Sequence, residues 1–172
     1  LAADQTSGRE NAKKIVVFFT DGSPTSGSGF ENDVASSAIS AAKSMKDAGA
    51  TVYSVGIFSG VNPSADPTAS GTSSENKFMH AVSSNYPSAS YAWQNGQRPW
   101  QSGKWVWSFG ARAADSDFYK AASNAADLKT LFDGISQEIT SSTGLPTEVQ
   151  QGYDPSTSGY ITFTDQLGDY MR

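Results

Sequence analysis

The sequence predicts an α/β domain built on an open parallel sheet with flanking helices. Three segments carry this prediction: an unbroken apolar run over residues 15–19, an amphipathic stretch over residues 33–48, and a second β-rich run over residues 51–58. A strand, a helix and a strand in this order form a βαβ unit, whose strands lie parallel and whose crossover is right-handed. The fold class follows from this unit.

The first run and the helix show the expected periodicities. Residues 15–19, Ile-Val-Val-Phe-Phe, are all apolar and mostly β-branched or aromatic, which is typical of a strand covered on both faces. In residues 33–48 the apolar residues recur at steps of three and four, and Gly49 follows at the C-terminal end. The predicted buried stripe of this helix consists of Val34, Ala38, Ala41, Met45 and Ala48.

The middle of the chain, about residues 59–116, predicts an insertion. It begins with a long loop rich in Ser, Pro and Gly over residues 59–74 and continues with a short helix over residues 75–82. All four tryptophans follow, and residues 104–109 alternate as a strand does. We therefore expect a hairpin or arm in this part of the insertion.

The C-terminal part predicts an edge strand over residues 117–122 and then a helix capped by Asn124. The apolar stripe of that helix consists of Leu128, Leu131, Phe132, Ile135 and Ile139. We assign residues 1–142 to the main domain. Residues 143–172 turn to Thr, Ser, Gly and Pro and then to an alternating run, so we expect a linker and the start of a β-rich module there.

Composition limits the function classes. The net charge is −5, the pI is about 4.7 and the 12 basic residues are scattered, which argues against a nucleic-acid surface. The chain has no cysteine, which excludes disulfides, thiolate zinc sites and cysteine nucleophiles. Its apolar runs are too short for membrane insertion of this segment. A high content of Ser, Thr, Gly and Asn is typical of secreted or surface proteins.

Asp21 is the candidate metal ligand. Ligands of parallel sheets collect at the carboxyl ends of the strands, and Asp21 directly follows the first predicted strand. With the hydroxyls of Thr20, Ser23, Thr25 and Ser26 it gives an oxygen-rich rim suited to Mg²⁺ or Ca²⁺. Judged on spacing alone, an Asp-Gly pair after a strand is more often a plain turn.

Several blocks of the sequence resemble one family. Residues 15–60 contain Val-Val-Phe-Phe-Thr-Asp-Gly-Ser, a helix ending Ala-Lys-Ser-Met-Lys-Asp-Ala-Gly, and then Ala-Thr-Val-Tyr-Ser-Val-Gly-Ile. This block resembles the fourth strand, helix and fifth strand of von Willebrand factor A-type (vWA) domains. Residues 76–87, 117–122 and 128–139 are similar to the continuation in the vWA domains of Gram-positive surface and pilus-tip adhesins. The resemblance covers about residues 10–142.

The resemblance implies a metal-ion-dependent adhesion site (MIDAS), formed by an Asp-x-Ser-x-Ser motif, a later Thr and the Asp of Thr-Asp-Gly. Only the last of these maps onto this chain, at Asp21. Residues 1–14 contain nothing like Asp-x-Ser-x-Ser, so we expect the chain to be the C-terminal half of a vWA domain, with the remaining ligands in the N-terminal half. Alternatively, Asp21-Gly-Ser23-Pro-Thr25 itself mimics Asp-x-Ser-x-Thr. The implied cofactor is Mg²⁺, or Ca²⁺ or Mn²⁺, bound only with upstream ligands present.

The function implied by the resemblance is a non-enzymatic adhesion module on the cell surface, anchored to the cell wall in the full protein and serving colonisation or virulence. Its partners would be a host or matrix protein or a glycan. Two other functions are open. The domain could be a spacer or assembly unit of a surface fibre without a working metal site, or the vWA part of an enzyme such as a metal-chelatase or a hydrolase.

The aromatic and charged residues outside the rim have two interpretations each. The tryptophans Trp93, Trp100, Trp105 and Trp107 are possible ligand contacts, or they form a small satellite core that folds the insertion down. His80, in an apolar short helix, is expected to be a hydrogen-bonded structural histidine rather than a catalytic base. The remaining acidic candidates, interpreted as caps and solvated loop charges, are Glu31, Asp33, Asp115 and Asp117.

Overall fold

The computed structural model describes residues 14–27, 29–96, 102–114 and 117–143. The chain divides into two compact units, Leu1–Ser136 and Gln137–Arg172. The elements, in chain order, are β1 (Ile15–Thr20), α1 (Asn32–Asp47), β2 (Thr51–Gly56), α2 (Ser74–Val82), β3 (Ser90–Gln94), β4 (Lys104–Ser108), β5 (Tyr119–Ala121) and α3 (Ala125–Thr143). The β-rich module expected over residues 143–172 lies outside the described residues, apart from the last residue of α3.

A three-stranded parallel sheet of order β1-β2-β5 confirms the predicted α/β fold. Ile15 lies opposite Thr51 and Thr20 opposite Gly56, so β1 and β2 pair over their full length. β2 is central and is buried from Val52 to Gly56. β5, predicted as an edge strand, lies at the edge of this sheet. The carboxyl ends of all three strands therefore lie at the same edge of the sheet, which we call the carboxyl edge.

β1 differs from the prediction of a strand covered on both faces. Its residues are half-buried, and Phe19 is 39% exposed. Phe18 packs edge-on against Phe78 of the core, whereas Phe19 contacts Phe132 of α3, which is itself 41% exposed. In the described part of the chain β1 pairs on one side only, with β2. Among the described residues, one face of the apolar run is thus covered by the core, and the other is partly exposed.

α1 begins one residue earlier than predicted and ends at Asp47, and Gly49 follows with a φ of 82°. The predicted stripe is correct in part: Ala38 and Met45 pack against the core, but the fully buried residues are Ala35, Ile39 and Ala42, and Ala41 and Ala48 are exposed. The alanines of α1 lie on several faces of the helix, so their positions alone do not show which face is buried. Ile39, the bulkiest aliphatic side chain of the middle turns, does define it and points to the core.

The core lies where α1, α2 and the sheet meet. α2 is buried over most of its length, including Phe78, Met79 and Val82. Lys46 joins the ends of α1 and α2, because its Nζ donates hydrogen bonds to the carbonyls of Ala81, Ser83 and Tyr86 at 2.8, 3.1 and 3.1 Å. Burial lowers the pKa of this amine to about 8.

The predicted hairpin is formed by β3 and β4 as an antiparallel pair. At its base, the Tyr91 hydroxyl donates to Asn32 Oδ1 at 2.7 Å, which joins the hairpin to the start of α1. α3 begins as predicted: Asn124 Oδ1 accepts the backbone N–H groups of Ala126 and Asp127, both at 2.9 Å. No helix in the described ranges is long and apolar enough to cross a membrane.

Candidate functional site

Asp21 lies where β1 ends, at the carboxyl edge of the sheet, and its side chain is exposed. The Ile57 N–H donates to the Thr20 carbonyl at 2.9 Å, which holds the end of β2 beside Asp21. The Thr20 hydroxyl closes the turn after the strand: it donates to the Gly22 carbonyl at 2.9 Å and accepts the Gly22 N–H at 3.2 Å. Thr20 is therefore engaged within the turn, and Asp21 projects from it.

The other predicted rim hydroxyls donate to two glutamates. The Ser23 hydroxyl donates to Glu75 Oε1 at 2.8 Å, a contact between the loop after β1 and the first turn of α2. The Thr25 hydroxyl donates to Glu31 Oε1 at 3.0 Å, and the Ser26 hydroxyl to Glu31 Oε2 at 2.6 Å. Hydrogen bonds to the carboxylates of Glu31 and Glu75 thus hold the loop that follows Asp21.

Glu31 collects most of these bonds. It occupies the residue before α1 without capping the helix through its side chain, and instead also accepts the backbone N–H groups of Ser26 and Gly27 at 3.1 and 3.0 Å. Hydrogen bonds from Ser26, and then from Thr25, lower the pKa of this carboxyl. Glu31 is therefore ionised at neutral pH and organises the loop beside Asp21.

The donors around Asp21 fit a hard cation in kind, since carboxylate and hydroxyl oxygens are the ligands that Mg²⁺ and Ca²⁺ prefer. They fall short in number. Across the described ranges no three His, Cys, Asp or Glu side chains are grouped closely enough to hold a metal ion. The described residues alone do not close a metal site, and Asp21 can supply one ligand of it. Its role as a ligand stays a prediction.

Sequence reasoning missed the roles of Glu31 and Glu75. A local signal existed for Glu31, because Thr25, Ser26 and Gly27 precede it by four to six residues, a spacing at which one carboxylate reaches a loop's donors. No local signal existed for Glu75, which is 52 residues from Ser23. Of the other acidic candidates, Asp117 pairs with Lys120 at 2.6 Å and Asp33 is exposed in the first turn of α1.

The tryptophans divide into inner and outer positions. Trp105 and Trp107 are half-buried against the core, and Tyr91 stacks on Trp107 with 3.9 Å between ring centroids. Trp107 in turn is stacked with Phe109. This side of the hairpin agrees with the satellite-core interpretation. Trp93 is 51% exposed at the outer end, and Trp100 lies outside the described residues.

His80 is buried in the core, where Tyr119 and Tyr86 meet its ring edge-on with centroids at 4.9 and 5.7 Å. The expected hydrogen bonds are not formed with good geometry among the described residues, although the Ala65 backbone lies near enough to the ring to favour its protonated form. Burial, and then the positive charge of Arg112, lowers the pKa of His80 to about 4, which the Ala65 backbone and the Asp66 carboxylate offset only in part. His80 is a neutral packing residue at physiological pH.

A comparison with protein families agrees with this geometry. The model of the von Willebrand factor type A domain matches residues 1–90, over half of the chain. The match extends to residue 1, and it does not reach the part of the resemblance over residues 91–142. Neither a curated protein nor a solved structure matches the chain. The parallel sheet, its flanking helices and the matched residues together lead to one conclusion: this chain belongs to the von Willebrand factor type A domain family.

Proposed function

We propose that the protein is a non-enzymatic adhesion module whose ligand completes the coordination of a divalent cation held in part by Asp21. The observation that carries this proposal is the place of Asp21: an exposed carboxylate at the carboxyl edge of a parallel sheet in a vWA-family chain. Proteins of this family commonly bind ligands through a divalent metal at this edge. Asp21 fits that role by position and by chemistry.

The cation would be Mg²⁺, or Ca²⁺ or Mn²⁺, since a single carboxylate with neighbouring hydroxyls suits hard ions. One carboxylate binds such an ion weakly, so further ligands are required from outside the described residues, in an N-terminal half of the domain. A carboxylate of a host or matrix protein would then occupy the remaining coordination position. We place the protein outside the cell, on the surface of a Gram-positive bacterium, as a wall-anchored or pilus-tip adhesin that serves colonisation.

The test is an adhesion assay of the intact protein on a monolayer of cultured epithelial cells. Asp21→Ala and excess EDTA should each reduce adhesion at least about tenfold, because both remove the cation from the contact. Asp47→Ala is the matched control, because Asp47 is also an exposed carboxylate but lies at the far end of α1. Adhesion that survives both Asp21→Ala and EDTA would show that the metal mechanism is wrong.

A second function, a spacer or assembly unit of a surface fibre, is favoured by one observation. The hydroxyls of Ser23, Thr25 and Ser26 donate to Glu75 and Glu31, so the described contacts give each of them a structural role in the loop. This function predicts that a crystal of the intact domain soaked in Mg²⁺ shows no metal peak beside Asp21. A peak coordinated by the Asp21 carboxylate would exclude it.

A further inference from the structure

Trp93 is an exposed aromatic side chain with a fixed position. Its exposed fraction, 51%, exceeds those of Phe132, Phe19 and Ile57, the other exposed large apolar side chains in the described ranges. It lies at the outer end of an aromatic row on one face of the hairpin, where Tyr91 pairs with Trp107 and Trp93 with Trp105. The inner pair packs on the core, and Trp93 is the outermost and most exposed ring of the row among the described residues.

Three contacts hold the Trp93 indole in place. Its Nε1 donates to Asn95 Oδ1 at 3.0 Å. Trp105 meets it edge-on, with 5.9 Å between centroids and an interplanar angle of 71°. The ring also lies against the backbone of Gly103, where an added Cβ would overlap the Cζ2 and Cε2 atoms of the indole. Because Gly103 leaves this space open, the ring is ordered without being buried.

An ordered, exposed indole loses little conformational entropy when a ligand stacks on it. Its face carries the negative part of the ring quadrupole, which attracts the slightly positive C–H groups on one side of a pyranose ring. Tryptophan is also enriched among residues that dominate binding energy. Trp93 therefore has both the surface and the fixed geometry of a stacking platform.

The surroundings favour a neutral sugar over a charged or proline-rich peptide. In the part of the hairpin around Trp93 that the structure describes, residues 92–95 and 102–106, there is no carboxylate and one cation, Lys104. The polar side chains there are amides and a hydroxyl, which suit sugar hydroxyls. Proline-rich peptides dock in grooves lined by several aromatic rings. Here the neighbouring ring, Trp105, is half-buried and stands nearly perpendicular to Trp93.

We propose that Trp93, seated on Gly103 and tethered by Asn95, is a stacking platform for a neutral pyranose unit of a glycan. This site goes beyond the proposed function, because it lies on the hairpin rather than at the sheet edge and needs no cation. It would give the protein a second contact, with carbohydrate, in addition to a carboxylate-bearing ligand at Asp21.

The experiment is a titration of the intact protein with cellotetraose and with chitotetraose, followed by saturation-transfer NMR, with decaproline as the peptide probe. We expect saturable binding of at least one oligosaccharide in the millimolar range. Trp93→Ala should lower that affinity at least about tenfold. Gly103→Ala, which keeps the indole, should also lower that affinity, because the new Cβ would overlap both the indole and the Gln94 carbonyl oxygen and so displace the ring together with this part of the hairpin.

Phe132→Ala, which removes an exposed aromatic side chain from α3, should leave oligosaccharide binding unchanged, and so should EDTA. Circular dichroism verifies that each variant is folded. The proposal is overturned by absence of saturable binding to both oligosaccharides, by binding that Trp93→Ala leaves intact, or by binding of decaproline alone. Loss of oligosaccharide binding in EDTA would show that the Trp93 site needs a cation, which contradicts the proposal. If Asp21→Ala leaves adhesion unchanged, the metal mechanism is wrong, but the oligosaccharide binding at Trp93 is unaffected.

Discussion

Burial of the His80 imidazole should make the stability of the protein depend on pH. Burial lowers the pKa of His80 from 6.5 to about 4 in the folded chain. Between these two values the unfolded chain binds more protons than the folded chain, so the free energy of unfolding decreases as the pH falls. The contribution of His80 is fully present above pH 6.5 and is lost progressively towards pH 4.

His80→Phe should remove this dependence. The phenyl ring keeps the edge-on contacts with Tyr86 and Tyr119 and has no nitrogen to leave unpaired. Between about pH 7 and about pH 4.5, urea unfolding should show the wild type losing about 2 kcal/mol more stability than the variant. Equal losses in the two proteins would show that His80 gains a proton in the folded state as easily as in the unfolded one.

The sequence predicted the position of Asp21 but not the hydrogen bonds of the residues that follow it. The position of Asp21 followed from a local pattern, a strand followed by Asp-Gly, and the structure places it at the predicted sheet edge. The bonds of its neighbours did not follow, because Ser23 donates to Glu75, which belongs to an element far along the chain. A hydroxyl-rich loop gives the same sequence pattern whether its oxygens coordinate a cation or its O–H groups donate to a carboxylate.

Two glycines occupy different positions relative to helices: Gly49 follows the end of α1, and Gly134 lies in the interior of α3. Gly49 ends α1 with a φ of 82°, a conformation in which a Cβ is strained. Gly134 lies inside α3, where a Cβ would meet nothing within 4 Å. These two positions make a matched pair, since the same substitution should have opposite effects.

Gly49→Ala should lower the free energy of unfolding by about 1 kcal/mol, because alanine disfavours the left-handed conformation. Gly134→Ala should raise it by about 0.5 to 1 kcal/mol, because alanine has the higher helix propensity. Urea titrations of the wild type and the two variants measure both changes. Effects of the same sign would contradict the conformations assigned to these glycines.

Elements differ in how well their sequences specified them. β1, β2, the hairpin and α3 were predicted within a few residues, because β-branched runs, alternating aromatic residues and an Asn cap are strong local signals. The buried face of α1 was not, because its alanines fit several faces and only contact with the sheet and α2 selects Ala35, Ile39 and Ala42. β1 is less buried than its composition predicts within the described residues, because there it pairs with β2 alone.

The domain contains a parallel α/β sheet and an aromatic hairpin. The βαβ unit places Asp21 at the carboxyl edge, and the hairpin packs its inner aromatic rings on the core while exposing Trp93. We propose that the sheet edge at Asp21 takes part in binding a divalent cation. The proposed adhesive function depends on this cation, whereas the Trp93 platform does not.

Titration of the intact protein with Mn²⁺, followed by electron paramagnetic resonance of the free ion, measures cation binding without any knowledge of the ligand. We expect saturable Mn²⁺ binding. Asp21→Ala should weaken it at least about tenfold, because loss of a direct ligand costs at least as much affinity as loss of an outer-shell contact. Asp47→Ala should leave it unchanged. Failure of the intact protein to bind Mn²⁺, or equal affinities for the wild type and Asp21→Ala, would contradict the proposed cation site.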